Sequence, residues 1–225
     1  MSRPCLLPSR LRQSGFTLIE LLIVIAIILI LIAIALPNFL EAQIRAKVTR
    51  VKADLRTVAT ALEAYFVDFT TYPPDSRDDF NGAEGLKQLT TPLKYLPSLP
   101  FDVFVGDTPS VDGRAPYFAL ASTGLTFTQI RGGLRPQGNI HAFVVNSHGP
   151  DTFDWFQDEN RWPFNGPAHP CPTPTSLQCG TTSYTPTNGT LSTGNIHHFG
   201  GEWKAGHWCL DSVLIRGSGW NLLSL

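Results

Sequence analysis

The informative part of the chain opens on an apolar run without charge or proline, LLIVIAIILILIAIAL from Leu21 to Leu36, behind Gly15-Phe16-Thr17-Leu18-Ile19-Glu20. The 21 residues from Phe16 to Leu36 form, at about 1.5 Å per residue, a helix that just spans a bilayer's hydrocarbon core of about 30 Å. A second pattern begins where this one ends. Leu40, Ile44, Val48, Val51, Leu55, Val58, Leu62, Tyr65 and Phe69 step by three or four, which puts them on one helical stripe. Glu41, Arg45, Lys47, Arg50, Lys52, Asp54 and Arg56 lie between them and supply the opposite, solvated face. A coiled coil would show the same stripe, but the pattern stops at Tyr72-Pro73-Pro74 after about four heptads. A long helix lying on a globular domain fits better. Pro37 falls at the junction of the two patterns, where a kink or local loosening is expected.

Beyond Pro74 the texture changes to Gly, Pro, Asn and Thr with short apolar runs, the composition of turns and strands. A short helix is predicted within Gly82–Leu96, and strands over Tyr117–Ala121, Ile140–Asn146 and Trp208–Ile215, each bounded by turn residues. The stretch from Asn160 to Gly189 is rich in Pro and Thr and predicts an irregular loop. The fold class that follows is α+β: a long N-terminal helix, half of it in the membrane and half packed on a small antiparallel sheet, with an extended irregular C-terminal region.

Charge orients the chain. Arg3, Arg10 and Arg12 precede the apolar run and none interrupts it, so the positive-inside rule places the N-terminus in the cytoplasm and exports the rest. From Phe16 onward 14 basic residues face 18 acidic ones, which argues against a nucleic-acid surface. A secretory signal peptide cut at Ala33-Ile34-Ala35 and a plain uncleaved anchor are the competing readings. The run is long for a signal peptide, and Glu20 gives an anchor nothing. An acidic side chain in the membrane costs roughly 2.5–3.5 kcal/mol at a helix centre and less near an end, so it asks for a function.

Other candidate chemistry is thinner. No Ser/His/Asp order, phosphate loop or nucleophile elbow stands out, and an enzyme is not expected. His197, His198, His207 and Cys209 lack the tight ligand spacing of a zinc site. Asp151, Asp154, Asp158 and Glu159 form an acidic cluster without EF-hand spacing, which a solvated loop would also explain. All five tryptophans (155, 162, 203, 208 and 220) lie in the last third, where core packing is favoured over a binding face. Of the four cysteines, Cys5 precedes the apolar run and Cys171, Cys179 and Cys209 follow it. With three in the exported part, one stays unpaired or pairs between chains. A Cys171–Cys179 staple within the irregular loop is the expected disulfide.

The residues GFTLIELLIVIAIILILIAIALPNF, from Gly15 to Phe39, resemble the N-terminal signature of type IV pilins and type II secretion pseudopilins. The resemblance extends over about 55 residues with the amphipathic half included. It implies that a prepilin peptidase cuts between Gly15 and Phe16 and methylates the new Phe16 amine, and that Phe16, Glu20 and Pro37 act in assembly. Residues 1–15 would then be a leader, 16–36 the membrane and filament-core half of the helix, 37–70 its amphipathic half, and 71–225 the exported domain. Implied partners are other copies of the chain, the peptidase, the inner-membrane assembly machinery, minor pseudopilins and the membrane. Tyr95-Leu96-Pro97, Pro100-Phe101-Asp102, Ser147-His148-Gly149-Pro150-Asp151 and the run from Pro186 to Ile196 resemble segments of the major pseudopilins. That ending usually has Asp where this chain has Asn195, and the insert between Asp151 and Pro186 is long. The resemblance also implies a calcium loop, with Asp151, Asp154 and Asp158 as candidate ligands.

Physical chemistry accounts for the signature. Gly15 has no side chain, so a protease cleft can approach its backbone, and the upstream arginines hold the bond near the membrane face. In an apolar filament core the Phe16 ammonium and the Glu20 carboxylate each need a partner, which a staggered neighbour can supply. Head-to-tail packing of identical helices then grows a helical filament.

Overall fold

The structure is a computed structural model that describes residues 16–74, 84–105, 117–124, 140–153, 162–163, 181–189, 192–211 and 213–217. It divides into two units, residues 1–42 and 43–225. In the first, the described residues belong almost wholly to helix α1, Leu18–Phe69, which continues into the second. Pro37 lies inside α1. The loosening expected there takes no form of a break, because the helix runs unbroken across the proline. From Leu18 to Leu40 every large apolar side chain is 46–87 % exposed, and this helix is long and apolar enough to cross a membrane.

In the second unit the amphipathic stripe does what its spacing requires. Val51, Leu55, Val58 and Leu62 are at most 1 % exposed, and each fully buried side chain of this size contributes about 1.5–3 kcal/mol. They pack with Leu86, Leu89, Phe118, Leu120, Phe143 and Val145 in the main core. The chain leaves α1 through Thr70, whose φ is 56°, and Tyr72 is held by its hydroxyl donating to Glu63 at 3.1 Å. Burial, reinforced by the Glu63 carboxylate, raises the Tyr72 phenol well above its ordinary range. The short helix α2 is Glu84–Lys87, within the segment predicted helical.

Three strands form one antiparallel sheet in the order β1-β2-β3: β1 Ala119–Ser122, β2 Ala142–Ser147 and β3 Ile196–Gly201. Strand β2 is buried at every position, because both faces of the sheet are covered. Phe143 and Val145 join the α1 side. Ala142 and Val144 join Ala121, Trp162 and Trp208 in a second core. This is why the run Ala142-Phe143-Val144-Val145 does not alternate with polar residues. Gly200 sits opposite Phe143, and a Cβ there would lie 2.2 Å from the Phe143 ring.

Two strand expectations are corrected. The single strand predicted over Trp208–Ile215 is a hairpin of β4, His207–Leu210, and β5, Val213–Arg216. The chain reverses at Asp211, whose φ is 49° and whose carboxylate accepts the Ser183 N–H at 2.6 Å. Asp tolerates this left-handed conformation, and a turn so short leaves the hydrophobic run intact. Strand β3 was not predicted, since Ile196-His197-His198-Phe199-Gly200-Gly201 has little apolar periodicity and takes its register from β2.

Candidate functional site

Two regions carry the residues singled out by the sequence. At the start of α1, Thr17 and Glu20 bond reciprocally. The Thr17 N–H and hydroxyl both donate to Glu20 Oε2, at 2.8 and 2.7 Å, and the Glu20 N–H donates to Thr17 Oγ1 at 3.3 Å. Thr-x-x-Glu at this spacing is a capping box, in which side chains satisfy backbone donors that the first helical turn leaves without partners. The spacing of Thr17 to Glu20 is the signal in the sequence that marks Thr17 as a cap. Glu20 Oε1 makes no bond among the described residues. Phe16 is 74 % exposed just ahead of the box. Gly15 lies outside the described residues. Past Pro37, the side-chain amide of Asn38 donates to the Ile34 carbonyl at 3.3 Å.

The second region gathers the segments that resemble the major pseudopilins. Asp151 Oδ2 accepts the Gly194 N–H at 3.3 Å and Oδ1 the Phe153 N–H at 3.4 Å, so the Ser147–Asp151 and Pro186–Ile196 runs meet. Gly149, at φ 76°, leaves room for that approach: a Cβ there would stand 2.5 Å from the Gly194 carbonyl oxygen. Beneath the first run lies Asp102, fully buried. Its carboxylate accepts the N–H of Phe104 at 2.9 Å and of His148 at 3.2 Å, and a bond from the Ser147 hydroxyl. Burial pushes the Asp102 carboxyl above the ordinary carboxylate range, and these three bonds partly offset it. The sequence alone assigns Asp102 no role within the Pro100-Phe101-Asp102 run; only the fold brings it to residues 147 and 148.

Asp154 and Asp158 lie outside the described residues. Among the described residues no group of three or more His, Cys, Asp or Glu side chains could hold a metal ion. Asp151 engages both oxygens with backbone N–H groups, and Asn195 is buried with its backbone bonded to residues 182 and 184. The described residues therefore do not themselves make a calcium site. His197 and His198 stand on β3 without converging on Cys209; burial, with the Arg56 cation beside it, holds His198 below its ordinary range. Cys209 is disulfide-bonded, while Cys5, Cys171 and Cys179 lie outside the described residues, as does the expected Cys171–Cys179 staple. The described tryptophans, 162, 203 and 208, behave as core. Trp162 and Trp208 are 1 % exposed, their rings meet edge to face at 5.6 Å, and the Trp208 indole N–H donates to the Trp203 carbonyl at 3.1 Å. Trp155 and Trp220 lie outside the described residues.

One comparison with known proteins falls on the first region. The family pattern described as the prokaryotic N-terminal methylation motif matches residues 10–36. This chain carries that motif. The motif therefore ends one residue before Pro37 and contains Phe16, Thr17 and Glu20. The chain is 49 % identical over 61 residues to the type IV major pilin protein PilA of Myxococcus xanthus, 27 % of this chain and 28 % of that protein. It is 44 % identical over 64 residues to the type II secretion system core protein G of Pseudomonas aeruginosa, 28 % of this chain and 45 % of that one. A core protein G of Pectobacterium carotovorum matches more widely but less closely, at 28 % over 134 residues, 52 % of this chain and 81 % of that protein. The first two matches span less than half the length of those relatives. No solved structure matches.

Proposed function

We propose that the chain is a polymerising subunit of a pilus-type filament, of the type II secretion pseudopilus or type IV pilus kind. It is cut between Gly15 and Phe16, methylated on Phe16, and anchored by residues 16–36 with its N-terminus cytoplasmic and residues 71–225 exported. The observation that carries this reading is the apolar half of α1, exposed on every side and closed at its start by Thr17 and Glu20, in a chain that bears the methylation motif. In lipid that surface is at home; outside lipid it requires an apolar cover, so leaving the membrane and joining a filament become one event. Identical helices offer that cover.

The capping box also explains how an acid tolerates the membrane. Two donors hold Glu20 Oε2, which lowers the cost of desolvating the carboxylate. Oε1 remains to accept the Phe16 ammonium of a staggered neighbour. The prepilin peptidase, the inner-membrane assembly machinery and minor pseudopilins are the partners this route requires. A membrane-anchored binding protein that never polymerises is disfavoured by the burial of Trp162 and Trp208, which leaves those two rings no open face.

Mass spectrometry of the protein purified from membranes tests the first step, and the expected N-terminal residue is N-methylated Phe16. An intact Gly15–Phe16 bond, or a chain starting at Leu36, contradicts the proposal. Cleavage also removes Cys5, so in the processed chain Cys171 and Cys179 are the cysteines within the same chain open to Cys209, and a Cys209 pairing competes with the Cys171–Cys179 staple. The same digest run without reductant should show a Cys209 crosslink to one of the two.

A further inference from the structure

The charges of α1 are sorted along its length. Arg45, Lys47, Arg50, Lys52 and Arg56 follow one another closely, and every one is exposed. Beyond Arg56 the helix carries only Glu63 and Asp68, and its last turn holds no basic residue. That order runs against the helix dipole, which favours cations at the C-terminal end. It also departs from the rest of the chain: residues 37–56 hold five basic residues and two acidic ones, whereas residues 57–225 hold nine and fifteen. A helix face that is merely solvated mixes its signs at spacings of three and four. Arg50 does meet Asp54 at 3.7 Å, but its side chain stays 70 % exposed and open to other anions.

The basic stretch adjoins the apolar half of the helix. Leu40 is the last exposed large apolar side chain of α1 before Val67, and Arg45, Lys47 and Arg50 follow it by five, seven and ten residues. Ten residues of helix rise about 15 Å, the thickness of one headgroup layer plus a Debye length of about 8 Å. Helical side chains lean towards the N-terminal end, and long basic ones carry their charge on an apolar stem. We propose that Arg45, Lys47 and Arg50, extended by Lys52 and Arg56, bind the phosphate headgroups of anionic phospholipids in the leaflet from which residues 37 onward emerge. This rests on anchoring by residues 16–36, and not on polymerisation or on which way the chain is oriented. The ligand is a phosphodiester anion, to which Arg offers paired N–H donors and Lys a point charge. A subunit that leaves the bilayer gives up these contacts together with its lipid cover.

The test uses the full-length chain in phosphatidylcholine vesicles that contain a trace of spin-labelled lipid, whose electron spin resonance spectrum reports the lipid that the protein immobilises. The readout is the preference for spin-labelled phosphatidylglycerol over spin-labelled phosphatidylcholine. It should be about fivefold lower in the triple variant Arg45→Gln, Lys47→Gln, Arg50→Gln than in the wild type, the equivalent of about 1 kcal/mol for a basic residue at the surface. The leader arginines are the same in both, so the difference belongs to α1. It should vanish in 1 M salt, where the Debye length is about 3 Å. The charge-keeping pair Arg45→Lys, Arg50→Lys should match the wild type, as should Lys87→Gln with Lys94→Gln, which neutralises exposed lysines outside α1. Equal preference in the wild type and the triple variant overturns the proposal; if that variant instead loses crosslinks between copies, the basic stretch serves a second copy of the chain. Absence of immobilised lipid of either kind contradicts the anchoring, and the headgroup site with it. A preference lost only in the triple variant, in a chain that forms no filaments, supports the headgroup site and sinks polymerisation alone.

Discussion

Between Leu18 and Leu40 every large apolar side chain of α1 is at least 46 % exposed, whereas Val48, Val51, Leu55, Val58, Leu62 and Tyr65 on the same helix are at most 8 % exposed. The second stretch is amphipathic and finds its cover within the chain, against the sheet and the residues after α1. The first is apolar all round and finds none. One helix thus contains a segment whose burial is complete in a lone molecule and another that requires lipid or other copies. The difference lies in where polar residues interrupt the pattern. From Glu41 to Arg56 they fall regularly between the apolar positions; from Leu21 to Leu36 there are none.

Three substitutions, and Ile28→Ala as their control, would break or sharpen this comparison, in order of expected effect. Glu20→Ala removes one member of the pair proposed to form between neighbours and leaves an ammonium buried alone. The penalty is roughly 3–5 kcal/mol, about a thousandfold per added subunit. Insertion and processing should persist while filaments disappear from electron micrographs of the sheared fraction; wild-type filament yield would remove Glu20 from assembly. Next, Leu62→Ala should lower the unfolding free energy of the exported domain by about 2–5 kcal/mol, whereas Ile28→Ala should leave it unchanged in a denaturant titration of the full chain in micelles. Equal effects would mean that the two halves of α1 do not differ as described.

The smallest effect is expected at Asp102→Ala, which strips acceptors from the buried N–H groups of Phe104 and His148 and should cost about 1–3 kcal/mol. It should also change the pH dependence. Burial raises the Asp102 carboxyl, so the folded state holds that proton more tightly than the unfolded one. Its contribution to stability is present below the ordinary carboxylate range and is lost as pH rises through the raised value. Thermal melts between pH 3 and 8 should show this slope in the wild type and not in the variant.

What could be read in advance followed local pattern. The buried stripe of α1 came from periodicity, because one face of that stretch had a fixed environment; the helix's first half came from the length of an uninterrupted apolar run, and strands β1 and β2 from short apolar runs bounded by turn residues. Strand β3 did not, since Gly200 and Gly201 are selected by the Phe143 ring and by backbone conformation, neither of which leaves a hydrophobic signature. The Asp211 turn was hidden inside an apolar run. Glu20 stood out because a lone carboxylate in an apolar helix has so few explanations, while Asp102 looked like any loop acid until residues 46 positions away in sequence donated to it. Thr17 was readable from its spacing to Glu20 and needed only the question of what caps the helix.

The central claim is that copies of the same helix cover the exposed half of α1. A photo-crosslinking side chain at position 28, within the processed chain in assembled or assembling membranes, tests it directly, because Ile28 is 47 % exposed in the lone molecule. The account predicts crosslinked dimers and higher ladders in which the captured peptide falls within residues 16–36 of another copy. Crosslinks confined to lipid or to unrelated proteins, under conditions where the chain is processed and inserted, would contradict it.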